Sequence, residues 1–185
     1  MQRTIVASAD LTGDALADLK SWLGIARPDE DSLLVELLHA SVALCEAFTG
    51  QAPLVQTVEE RLATVQGRRP LRSRPIQEFV TLELIAQDGT RSPVPASGFS
   101  FVLDDSQGAW LELNRTLEGQ AVVVRIAAGI AADWASLPDA LKQGVIRMAA
   151  YHHRDRDRDS AATRGAPPPA SVAALWRPWR IMRLA

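Results

Sequence analysis

This chain of 185 residues contains one cysteine, Cys45, which excludes an internal disulfide or a cysteine-built zinc site. No uninterrupted apolar run reaches the roughly 18 residues of a membrane-spanning helix, and no charged-then-apolar leader opens the chain. The expectation is a protein made and kept in the cytoplasm that later joins something larger, with no membrane partner. Catalytic signatures are missing as well. There is no glycine-rich phosphate loop, no G-x-S-x-G elbow and no H-E-x-x-H pair. His153-Arg154-Asp155 matches the catalytic tripeptide of protein kinases but lacks the downstream asparagine and the Asp-Phe-Gly segment. His152 and His153 are adjacent, so on a helix their side chains diverge by roughly 100° and cannot chelate one ion. No enzyme, cofactor or metal site is expected.

What is present begins with charge. Apolar residues make up 47% of the chain and charged residues 23%, a balance that excludes a wholly disordered polypeptide. The net charge of −2 hides an uneven distribution. Residues 1–50 hold eight acids against three bases, whereas residues 140–185 hold nine bases against three acids. Such polarity suits a chain whose ends meet different surfaces, although a solvated basic tail gives the same count. A second basic stretch, Arg68-Arg69-Pro70-Leu71-Arg72-Ser73-Arg74-Pro75, contains two prolines and is expected as an exposed loop.

The opening, Met1 to Ala9, is expected to be short and extended; helical patterns follow it and close the chain. A first helix is expected over about residues 12–23, capped by Asp10 or Thr12, with Leu16, Leu19 and Leu23 on its apolar side. A longer one is expected over about 29–49, with Asp29, Glu30 and Asp31 at its positive end and Gly50 after it. Leu34, Leu37, Leu38, Ser41, Cys45 and Phe48 form its stripe, which makes Cys45 a small core residue. From Pro53 the period changes. Strands are expected at 54–65, 76–86, 99–103, 109–113 and 121–127, forming one small antiparallel sheet. In the second of these, Val80, Leu82 and Leu84 are expected on one buried face. Asp88-Gly89, Gln107-Gly108 and Glu118-Gly119 supply the turns. Helix returns at Leu137-Pro138 and runs into the Arg/Asp alternation at 154–159. After a proline-rich linker, a last helix begins near Ser171.

Three places share the pattern of a known family. The first is Leu11–Gly50, with Trp22-Leu23-Gly24-Ile25, Asp29-Glu30-Asp31-Ser32-Leu33-Leu34 and Glu46-Ala47-Phe48-Thr49-Gly50. The second is Val124–Asp155, with Ala128-Gly129, Leu137-Pro138 and Ala149-Ala150-Tyr151-His152. The third is the aromatic and arginine-rich ending, Val172–Leu184. In this order they resemble the head–tail connector (adaptor) proteins of long-tailed bacteriophages, also found in phage-derived gene transfer agents. Tyr151-His152-His153-Arg154-Asp155 replaces the family's aromatic-plus-glutamate ending, and Trp176-Arg177-Pro178-Trp179 carries an extra proline.

The resemblance implies an α+β fold: a small helical bundle with an inserted antiparallel β-region and a C-terminal helical segment. Its parts would be bundle helices at 1–52, the β-region at 53–129, a third bundle helix at 130–159 and a linker with a portal-docking segment at 160–185. It implies a non-enzymatic virion component, a ring of twelve copies between the portal protein and the stopper or tail-completion protein. DNA would meet it only in passage through the lumen. The particle, phage or gene transfer agent, would carry it at the capsid–tail junction. Trp176, Arg177, Trp179, Arg180, Met182 and Arg183 would face the portal, as an aromatic–arginine cluster of the kind enriched at interface hot spots. Alternatively, the two tryptophans fold back on the chain's own core. A different class of function also fits the composition. Arg68, Arg69, Arg72 and Arg74, with the C-terminal arginines, would then form a nucleic-acid-binding module with steeply salt-dependent affinity.

Overall fold

The computed structural model describes residues 2–104, 107–155 and 167–181. Eight strands and four α-helices are formed among them: β1 (Gln2–Ala7), α1 (Asp14–Leu23), α2 (Asp31–Thr49), β2 (Gln56–Leu62), β3 (Gly67–Pro70), β4 (Ile76–Ile85), β5 (Arg91–Pro93), β6 (Phe99–Leu103), β7 (Ala109–Leu113), β8 (Ala121–Ala128), α3 (Asp139–Asp155) and α4 (Ala170–Trp176). They divide into two compact units. One takes residues 2–8 and 55–130; the other takes 9–54 and 131–181.

The first unit is all β. Five strands pair in the order β1-β2-β8-β4-β5 and three more in the order β3-β7-β6, every pairing antiparallel. The β-branched run of β8 lies at the centre of the larger sheet, as such residues favour. Its Val122, Val124 and Ile126 alternate inward to join Val58 and Leu62 of β2 and Leu111 and Leu113 of β7 in one core. Phe79, Phe99 and Phe101 close that core, with ring centroids 5.0–5.5 Å apart. On the opposite side of the larger sheet, Ile85, Ala121 and Val123 make a small second cluster. Register shifts in β4 interrupt its alternation, so Val80 is exposed although Leu82 is buried.

This arrangement overturns the expected bundle with one inserted sheet. The fold is a mixed α+β structure with two antiparallel sheets, not a helical bundle. The physical reason is that the β-strands bury a core of their own, and the extended opening of the chain joins them as β1.

The second unit is helical. Gly24 and Gly50 end α1 and α2 in the left-handed conformation, at φ 73° and 78°. No side chain caps α1; Asp10 instead accepts bonds from the Thr12 amide and hydroxyl just before it. By length and composition α2 would pass for a membrane span. Its Leu34, Leu38, Ser41, Cys45 and Thr49 are buried, and it packs against α1, α3 and α4. Burial pushes the Cys45 thiol up to about 12. The two chain segments of this unit meet where the Ala131 amide donates to the Pro53 carbonyl at 3.1 Å.

Candidate interaction surfaces

In the β unit, the basic stretch is not the free loop expected. Gly67–Pro70 forms β3, an edge strand of the smaller sheet, where Pro70 removes no ladder hydrogen bond that the edge needs. The Arg68 guanidinium lies 4.5 Å from the Trp110 ring, within cation–π range. Arg69 donates to the Val65 and Gly67 carbonyls at 2.7 and 3.2 Å. Arg74 reaches Asp104 at 3.8 Å. Arg72 is exposed.

Glu60 holds this stretch in place. Its carboxylate is fully buried and accepts hydrogen bonds from the Arg72 and Ser73 amides and the Ser73 hydroxyl at 2.7–3.0 Å. The Arg3 Nε donates to the same hydroxyl at 2.9 Å. Sequence reasoning missed Glu60, although a signal existed. In Val58-Glu59-Glu60-Arg61-Leu62 the strand period of two puts Glu60 on the face of Val58 and Leu62. A buried carboxylate needs donors, and these come from the arginine stretch. Its neighbour Glu59 faces the other way, where Arg91 (3.0 Å) and Arg125 (2.6 Å) bridge it. Hydrogen bonds from Arg91, then Arg125, hold the Glu59 carboxyl below the usual carboxylate range despite partial burial.

In the helical unit, the C-terminal segment folds onto its own neighbours. Trp176 is 0% exposed, packed on Gly144 of α3 and on Phe48, whose ring centroid lies 6.0 Å away. Beyond α4, Arg177–Trp179 form a 3₁₀ turn. The Gln51 side-chain amide donates to the Trp179 carbonyl at 2.6 Å, and the Ile181 amide donates to the Thr49 carbonyl at 2.9 Å. The Arg180 guanidinium lies 5.2 Å from the Phe48 ring. Arg177 and Arg180 are therefore exposed on a strap fastened to the end of α2, with Trp179 half-buried and Trp176 beneath. Met182 and Arg183 lie outside the described residues, as do Arg156, Asp157, Arg158 and Asp159 of the charged alternation.

Three further contacts in this unit were not anticipated. The Trp134 indole donates to Asp18 at 2.8 Å, His153 approaches Glu30 at 3.3 Å, and the Arg147 guanidinium lies 5.6 Å from the Trp22 ring. Each joins residues far apart in sequence, which periodicity does not report. Among the described residues, no group of three His, Cys, Asp or Glu side chains is placed to hold a metal ion.

No protein-family model matches this chain, and no curated protein matches it. Solved structures do. The neck of an empty gene transfer agent particle, computed with C6 symmetry, contains a chain 25% identical with a TM-score of 0.75. The neck of a native particle, computed with C12 symmetry, contains one 26% identical at 0.75. In both cases the likeness covers 100% of this chain and 98% of the other. The virion of the native particle gives a similar result, at 26% identity and 0.74. The structural neighbours are thus components of a particle neck, consistent with the phage-derived head–tail adaptor family that the sequence resembles.

Proposed function

We propose that this chain is a head–tail connector subunit, assembled as a ring between portal and stopper or tail-completion proteins, with DNA passing through the lumen. It performs no chemistry of its own; it joins unlike neighbours. The observation that carries this reading is the end-to-end likeness, at 25–26% identity, to chains in the necks of gene transfer agent particles. The C6 and C12 symmetries of those necks favour a cyclic ring, of twelve copies at the higher symmetry. The chain is made in the bacterial cytoplasm and ends at the capsid–tail junction.

Within that reading, the C-terminal strap is the portal-docking surface. Arg177, Trp179 and Arg180 present the contact, with Met182 and Arg183 continuing it, and buried Trp176 anchors the strap to its own subunit. The arginine stretch, with Arg68 and Arg72 exposed, forms a second partner-facing surface. Support for polar recognition at both comes from planar guanidinium groups already oriented by aromatic rings.

The test is electron microscopy of particles carrying a label on this chain. A ring of label at the capsid–tail junction is expected; label elsewhere overturns the proposal. Replacing Arg177 and Arg180 together by Glu should abolish co-purification with the portal protein while the thermal melt stays unchanged. Tight, steeply salt-dependent DNA binding by the isolated chain would instead favour the nucleic-acid-binding alternative.

A further inference from the structure

The helical unit carries an open groove of about 300 Å³ lined by Trp22, Arg147, Tyr151, Arg154 and Pro169. Its composition is unusual for a surface left to water. Trp22 is 45% exposed and Tyr151 40%. Arg147, whose guanidinium faces the Trp22 ring, has a buried Nε with no hydrogen-bond partner among the described residues. Arg147 and the exposed Arg154 place two guanidinium groups on this groove, and a carboxylate is the acceptor that pairs best with them. Exposed Trp, Tyr and Arg together are the residues that dominate binding hot spots. The groove therefore fits an acidic, partly apolar protein surface.

This chain carries such a surface at the far end of the same two helices. The Trp134 indole, just before α3, bonds Asp18 midway along α1, and Arg147 well along α3 meets Trp22 at the end of α1. The two helices thus run in the same direction. Their first turns carry exposed Asp14 and Asp139, with exposed Asp133 beside them, while their later turns carry the groove. From Asp139 to Tyr151 is twelve positions, about 18 Å along α3. One unit therefore presents an acidic end and a cationic–aromatic groove as separate surfaces. Unlike, complementary patches on one subunit are what a head-to-tail contact requires, and such contacts close into rings.

We infer that the groove receives the acidic end, Asp14, Asp133 and Asp139, of a second copy of this chain. The inference rests on the ring reading above and assigns the contact that closes the ring. Its basis is charge complementarity between the two ends of α1 and α3, together with the exposed Trp22, Tyr151 and Arg154 that line the groove.

Two single variants and their mixture test it by sedimentation velocity of the full chain at high concentration. Arg154→Glu spoils the groove, and Asp139→Arg spoils the acidic end. Each alone should weaken self-association at least tenfold. Mixed in equal amounts they should assemble again, because the charge-reversed groove of one variant accepts the charge-reversed end of the other and the two unaltered surfaces still pair. Restoration on mixing also shows that both variants fold. Trp22→Ala should weaken association with no charge change. If the wild-type chain and all variants assemble alike, the groove assignment falls and the ring reading stands. If the wild-type chain stays monomeric throughout, a second copy is the wrong occupant, and labelled particles still test the ring independently.

Discussion

Gly144 and Trp176 meet so closely that a Cβ on Gly144 would lie 2.7–2.8 Å from Cδ1 and Cε2 of the indole. The absence of a side chain at one position in α3 makes the bed for the largest side chain of α4. Through this pair the C-terminal segment becomes part of the core of its own unit.

Gly144→Ala should consequently destabilise the protein. In an open helix that change gains up to about 1 kcal/mol of helix propensity. Here the methyl overlaps a buried ring, and overpacking of this kind costs about 1–3 kcal/mol. A lowered urea midpoint is the expected result; an unchanged or raised one would mean that Trp176 can leave its bed freely. Trp176→Ala removes the ring altogether and should cost about 3–5 kcal/mol.

Glu60→Ala should loosen the arginine stretch. It leaves the Arg72 and Ser73 amides without their acceptor, at about 1–3 kcal/mol for each buried group left unsatisfied. Limited trypsin digestion gives the readout, with faster cleavage after Arg72 and faster hydrogen exchange at both amides. Equal digestion of variant and parent would show that other bonds hold the segment.

Cys45 should resist thiol reagents in the native protein. Its thiol is pushed up to about 12 by burial, so thiolate is scarce near neutral pH and the sulfur is enclosed. Labelling with a chromogenic disulfide at pH 8 should proceed only after denaturant is added. Rapid native labelling would place Cys45 outside the core.

Acid should destabilise the chain in two steps. Burial holds the His152 imidazole below its ordinary value of 6.5, against the opposing pull of Asp155. The unfolded chain then binds that proton more readily, so stability is complete above about 6.5 and declines as pH falls through it. His152→Gln should flatten the urea midpoint between pH 7.5 and 5.5. Glu59 acts lower down: its folded value is depressed from 4.5, so its contribution is present above that pH and lost below it. Glu59→Gln should remove part of that second decline and leave the first untouched.

Legibility in the sequence followed the range of the interactions. The stripe of α2 was readable because Leu34, Leu38, Ser41 and Cys45 recur every three or four positions. The bounds of β6 and β7 were readable too, fixed locally by alternation and by the Gln107-Gly108 turn. In contrast, the opening was legible only as extended; its place in a sheet as β1 was not, since its partners, residues 57–61, are about fifty positions away. The expected bundle failed at that point, along with the single sheet. Among the site residues, the chemical character of Arg177 and Arg180 was legible. The groove of Trp22, Arg147 and Tyr151 was not, because only packing of α1 on α3 brings them together.

The pairing of β1 with β2 has a further consequence for how the chain is made. Residues 2–7 leave the ribosome well before their complement at 57–61, which follows only after the whole of α1 and α2. The leading strand must stay unengaged through that interval, while the intervening segment already has the makings of a helical hairpin. Synthesis order and folding order thus differ for this strand. Slowing translation across 9–54 should lengthen the period in which that hydrophobic-edged strand is open to chaperones or to another nascent chain.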